Sequence, residues 1–169
     1  MGALAVLESG RRAFDVDRPH LIVALIAGGT TILCVLIHYE AMSRGMRVLP
    51  RLGIPRRMRI CGLILGLLLA HVVEVWLFAI VYWLLDPYAQ LGQITGPFDE
   101  GALDFVYFSV VTFSTLGYGD YVANGPITIL VGTEALVGLA FIAWTASIAF
   151  MEMQRDWDGA NGNGRGNNA

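Results

Sequence analysis

Thr115-Leu116-Gly117-Tyr118-Gly119-Asp120 is the stretch on which the reading of this chain turns. Glycine adopts φ above zero at almost no cost, whereas the same conformation costs a residue with a Cβ about 1–2 kcal/mol. With φ above zero at Gly117 and Gly119, successive carbonyl oxygens can be turned toward one axis. Taken alone, the hexapeptide is a glycine-rich turn of a kind that soluble proteins also use. Its surroundings decide between the two readings.

Those surroundings are apolar. Of 169 residues, 56% are hydrophobic and 15% charged, and the mean hydropathy is +0.60, a composition that points to a membrane. Three long apolar runs extend from His20 to about Ile37, from Ile60 to Leu85 and from Pro126 to about Met151. Each is near or above the roughly 20 residues that cross about 30 Å of hydrocarbon. Only backbone that hydrogen-bonds within its own segment can face lipid, so all three are expected to be helices. The first run is read as a mature span: Glu8, Asp15 and Asp17 mix with Arg11, Arg12 and Arg18 ahead of it, unlike the basic leader of a cleaved targeting segment.

Just before the hexapeptide, Ala102 to Phe113 is apolar but only about three turns long, too short to cross. Gly96-Pro97-Phe98-Asp99 interrupts the chain ahead of it, and Asp99, Glu100 and Asp104 suit the positive end of a helix dipole. Such a helix would dip into the membrane and present its partly negative carboxyl end to Thr115 and the residues after it.

Charge placement predicts the topology, because short cytoplasmic loops carry the excess of positive residues. The chain has no lysine. Arg44, Arg47, Arg51, Arg56, Arg57 and Arg59 crowd the connection between the first two runs, whereas Asp86, Asp99, Glu100 and Asp104 occupy the connection after the second. The first connection is therefore expected inside the cell, and the amino terminus and the hexapeptide outside.

A spanning helix, a short re-entrant helix, Ser109-Val110-Val111-Thr112-Phe113-Ser114 leading into Thr115-Leu116-Gly117-Tyr118-Gly119-Asp120, and a second spanning helix extend from about Arg59 to Met151. Together they resemble the pore module of the two-transmembrane class of bacterial potassium channels. The resemblance implies a fourfold homotetrameric pore in the cell membrane. In it, backbone carbonyls of Thr115, Leu116, Gly117 and Tyr118, with Gly119 completing the filter, replace the water around K⁺. Thr115 would add a hydroxyl ring at the inner mouth, Tyr118 would pack against the pore helix, and Asp120 would lie just outside. No cofactor is implied, K⁺ being the permeant ion, and nothing points to nucleic acid.

The expected architecture is an all-α membrane protein. An outer tail spans 1–19, an additional transmembrane helix 20–38, an Arg-rich cytoplasmic loop 39–58 and a pore domain 59–151. Within the pore domain lie an outer helix 60–85, a pore helix 102–113, a filter 115–120 and an inner helix 126–151. A cytoplasmic tail, 152–169, is expected to be disordered from about 159 because Gly159 to Ala169 is rich in glycine and asparagine. It is too short for a ligand-binding domain. The first helix carries no arginine between Leu21 and Ile37, so it does not read as a voltage sensor. The Arg44–Arg59 loop could also meet anionic lipid headgroups.

Departures from the family pattern bear on gating. Val111 stands where some members place a carboxylate behind the filter, so Asp120 lacks that partner, and Ser114 stands where some have a second threonine. Leu116 replaces the commoner valine, which leaves open a channel of relaxed cation selectivity. A non-conducting regulatory subunit would also carry such a module. Gly138 lies near the family's hinge glycine. His71, Glu74 and Glu134 are ionisable residues at membrane depth and are expected either to fix packing or to form a proton-sensing cluster. The standard enzyme signatures are absent.

Overall fold

The computed structural model describes residues 17–97 and 101–165, with side chains described as far as 155 in the last helix. Expectations placed on 1–16, on Phe98, Asp99 and Glu100, and on 166–169 lie outside the described residues.

Helix α1, Arg18–Val48, opens with Pro19, whose fixed φ suits a first turn. It continues ten residues beyond the 38 expected, so most of the predicted loop 39–58 is helical. The polar extension is stable because its charges answer one another one turn apart: Arg44 Nε reaches Glu40 at 2.7 Å and Arg47 Nε donates to the Ser43 carbonyl at 3.1 Å. Pro50, which has no N–H to offer, sits in the single 3₁₀ turn Leu49–Leu52 that follows. Gly53, in the left-handed region at φ 65°, turns the chain into α2, Arg56–Leu85.

Helix α3, Ala102–Phe113, has the bounds read from the sequence. Its first turn is closed by Asp104, whose carboxylate accepts the Gly101 N–H at 3.3 Å. Helix α4, Thr128–Arg165, starts after Pro126 and runs unbroken past the expected end at 151. Its bounds take in 159–165. Glycine weakens a helix by only about 1 kcal/mol per residue, and no proline follows Pro126 to stop it.

One short element lay outside the sequence reading. Strands β1, Gln93–Thr95, and β2, Val122–Asn124, pair antiparallel with Ile94 opposite Ala123. This ribbon ties the segment after α2 to the segment after the candidate filter. Gly92, at φ 105°, permits the close approach, since a Cβ there would run into the Asn124 carbonyl.

Packing follows one stripe per helix. Val23, Ala27, Thr30, Cys34, His38 and Met42 form the buried side of α1, which lies against α2 and α4. Phe78 and Tyr82 of α2, Phe105 and Phe108 of α3, and Leu130, Val137 and Phe141 of α4 make the main core around α3. Tyr82 and Phe108 meet edge to face at 5.1 Å. Lipid tails are as apolar as these side chains, so close packing and buried hydrogen bonds hold the helices together more than any hydrophobic gain. Three of the helices are long and apolar enough to span a membrane.

Candidate functional site

The last turn of α3 delivers the chain into the hexapeptide and holds it by its amides. Ser114 Oγ donates to the Val110 carbonyl at 2.7 Å. The N–H of Thr115 goes to the Thr112 carbonyl at 2.9 Å, and those of Leu116 and Gly117 go to the Val111 carbonyl at 2.9 and 3.4 Å. Val111 thus supports the hexapeptide through its backbone, while its buried side chain supplies no carboxylate. Among the described residues, no carbonyl from Thr115 to Gly119 accepts a backbone hydrogen bond.

Positive φ recurs at alternate residues, 57° at Thr115, 57° at Gly117 and 80° at Gly119. The alternation therefore begins one residue before the glycines that reveal it in the sequence. Thr115 holds the left-handed conformation without glycine's freedom, a local cost of about 1–2 kcal/mol that the α3 amide bonds offset.

The sequence left Asp120 without a partner, and the structure supplies one from α3. Tyr107 Oη donates to Asp120 Oδ2 at 2.8 Å, and the Tyr121 N–H donates to Oδ1 at 3.1 Å. The hydrogen bond to Asp120 raises the Tyr107 phenol above its ordinary pKa and keeps it a donor. Tyr107 escaped notice because an aromatic on an apolar helix reads as packing.

Behind α3, Glu134 of α4 is fully buried and receives donors from two other helices. Tyr82 Oη of α2 donates to its Oε2 at 2.5 Å, and Ser109 Oγ of α3 donates to its Oε1. The same Ser109 hydroxyl lies 2.9 Å from the Val75 carbonyl of α2. One carboxyl group therefore joins the re-entrant helix to the spanning helices on either side.

A family model described as "Ion channel" matches residues 70–155, from the middle of α2 through α3 and the hexapeptide into α4. The chain belongs to this ion-channel family. A curated relative, two pore potassium channel a of Oryza sativa subsp. japonica, is 40% identical over 57 residues, which cover 33% of this chain and 16% of the length of that protein. No solved structure matches the chain. The family is one of ion channels and not of enzymes.

Elsewhere in the chain, the expected grouping of His71, Glu74 and Glu134 is corrected. His71 and Glu74 meet, with Nδ1 at 3.0 Å from Glu74 Oε2, but the third member is His38 of α1, whose Nδ1 lies 3.0 Å from Glu74 Oε1. Glu134 is occupied instead by Ser109 and Tyr82. It sits eleven residues before Thr145 on α4, and Thr145 is the α4 residue that meets His71, at 3.1 Å from Nε2. Sharing a helical span does not put two carboxylates at one depth. His38 could have been found as the buried-stripe partner of Cys34, one turn earlier on α1.

Gly138 is buried where α4 crosses the end of α3, and a Cβ there would collide with the Phe113 carbonyl. In the folded chain the residue permits close approach, and α4 is helical on both sides of it. Leu116 and Tyr118 are 55% and 68% exposed, so the expected packing of Tyr118 on the pore helix is not made within one chain.

Proposed function

We propose that this chain is one subunit of a K⁺-selective channel and that Thr115 to Asp120 form its filter. The observation that carries the reading is a run of carbonyls that accept no backbone hydrogen bond among the described residues, with positive φ at residues 115, 117 and 119. It lies at the carboxyl end of a short apolar helix in a chain with three spanning helices. Irregular backbone at membrane depth is tolerated only where protein encloses it or water reaches it. A single chain leaves Leu116 and Tyr118 largely uncovered. A ring of four copies would cover them and turn the carbonyls toward a shared axis, where they replace the hydration shell of a cation. The four α3 carboxyl ends would add partial negative charge on the same axis.

In this reading the arginines at the α1–α2 junction face the cytoplasm and the filter opens outward. Gly138 is the point at which α4 would bend. Anionic lipid headgroups are the proposed partners of the junction. Arg56 and Arg59 there line a groove floored by Leu49, Pro50 and Leu63, with Glu152 and Arg155 on its α4 side.

The deciding experiment is ion flux from liposomes that hold the purified protein, with K⁺ or Na⁺ as the trapped cation, together with native mass of the detergent complex. Rapid K⁺ flux, slow Na⁺ flux and a four-chain mass are expected. Equal K⁺ and Na⁺ flux would replace selectivity with general cation permeation, and no flux from a homogeneous oligomer would favour a regulatory subunit.

A further inference from the structure

Away from the candidate filter, the interior holds a compact set of nitrogen and oxygen donors contributed by α1 and α2. His38 and Glu74 have fully buried side chains, and His71 is 12% exposed. Both imidazoles direct Nδ1 at the one carboxylate, each to its own oxygen, at 3.0 Å. Both direct Nε2 at the Thr145 hydroxyl of α4, at 3.1 Å for His71 and 3.5 Å for His38. The rings are near parallel, with centroids 5.1 Å apart. Phe141 stacks on His38 at 4.6 Å, and Phe113 leans on His71 at 5.7 Å.

We propose that His38, His71 and Glu74 form a binding site for a divalent transition-metal ion of the Zn²⁺ class, which clamps α1 to α2 inside the membrane. The donor atoms all lie within 4.8 Å of one another. Tetrahedral bonds of about 2.0–2.1 Å place neighbouring donors about 3.3 Å apart. To admit the ion, the two 3.0 Å contacts open by a few tenths of an ångström and the widest donor separation, within 4.8 Å, closes toward the same spacing. Two imidazoles and one carboxylate suit borderline cations such as Zn²⁺ and Co²⁺, whereas Mg²⁺ and Ca²⁺ prefer oxygen alone.

Two further features fit the assignment. Histidine ligands are commonly oriented by a hydrogen bond at the second ring nitrogen, and one hydroxyl, Thr145 Oγ1, does this for both rings. A carboxylate buried at membrane depth is costly without a cation, and no arginine contacts Glu74 among the described residues. In the bound state each neutral ring bonds the ion through an unprotonated Nδ1 and carries its one proton on Nε2, facing Thr145 Oγ1. His71, the partly exposed member, lies on the side by which the ion enters.

The site also gives α1 a task. His71, Glu74 and Thr145 fall inside the part of the chain matched by the family, 70–155, while His38 does not. The additional helix would complete a site of which the pore module holds only two ligands.

The test uses the full chain in detergent, stripped with a chelator and titrated with Co²⁺. One equivalent per chain with the ligand-field absorption of four-coordinate cobalt is expected, displaced by Zn²⁺, with Zn²⁺ also raising the thermal midpoint. Glu74→Gln and His38→Ala should each weaken Co²⁺ binding by about 10-fold or more, and Thr145→Val should weaken it by about 10-fold through loss of ring orientation. Wild-type protein without the cobalt absorption would overturn the proposal whatever the variants do. Equal binding by wild type and a folded Glu74→Gln variant would assign the ion to exposed groups such as His20 and Cys61, and would overturn it too. None of these measurements depends on ion flux.

Discussion

Replacing Ser109 with alanine tests whether the buried Glu134 network anchors the re-entrant helix. Ser109 and Glu134 are both fully buried, so water cannot replace a donor that is removed. The Val75 carbonyl would keep its place in the α2 ladder, but Glu134 Oε1 would lose the Ser109 donor. Leaving a buried donor or acceptor without its partner costs about 1–3 kcal/mol. The folding equilibrium should therefore fall by about 5- to 150-fold. Equilibrium denaturant titration in mixed micelles, followed by tryptophan fluorescence, reads this directly. Tyr82→Phe removes the other donor to the same carboxyl group. The double variant should consequently be non-additive by about 0.5 kcal/mol or more. A loss below about 0.5 kcal/mol for Ser109→Ala, the range of ordinary surface substitutions, would refute the anchoring role.

Four other outcomes follow from contacts in the structure. Gly138→Ala should destabilise the fold by about 1–3 kcal/mol, because the added methyl meets the Phe113 carbonyl and α4 must shift away from α3; wild-type stability in the same titration would contradict that. Tyr107→Phe removes the α3 donor to Asp120, and K⁺ current in planar bilayers should decline faster than in wild type, with an unchanged time course counting against the role. Val111→Glu should also change that decay by offering Asp120 a second partner, and unaltered decay would count against it. Arg59→Gln, in the groove at the α1–α2 junction, should weaken stabilisation by phosphatidylglycerol by about 1 kcal/mol and reduce its salt dependence; equal stabilisation by neutral lipid would remove anionic headgroups as the partner.

Much of the pore region was legible in the chain because its signals are local. Ala102 to Phe113 reads as a short helix from its apolar run, the proline-glycine break ahead of it and Asp104 in its first turn, and the structure keeps those bounds. The long helices were legible in kind but not in extent. Hydropathy reports where a helix meets lipid, and beyond that limit α1 continues on the Glu40–Arg44 pair and α4 on the Glu152–Arg155 pair. The β1–β2 ribbon was invisible because three residues are too few to show an alternating pattern.

The sequence by itself determined the number of spans, the re-entrant helix and the glycine positions of the candidate filter, since each depends on composition or backbone preference over a few consecutive residues. Tertiary structure alone decided the partners. Tyr107 with Asp120 spans 13 positions, Ser109 with Glu134 spans 25, and His38 with Glu74 spans 36. Helical periodicity says which face of a helix is buried. It does not say which neighbour, at which depth, that face will meet, and so Glu134 went to Ser109 and Tyr82 while Glu74 went to two histidines.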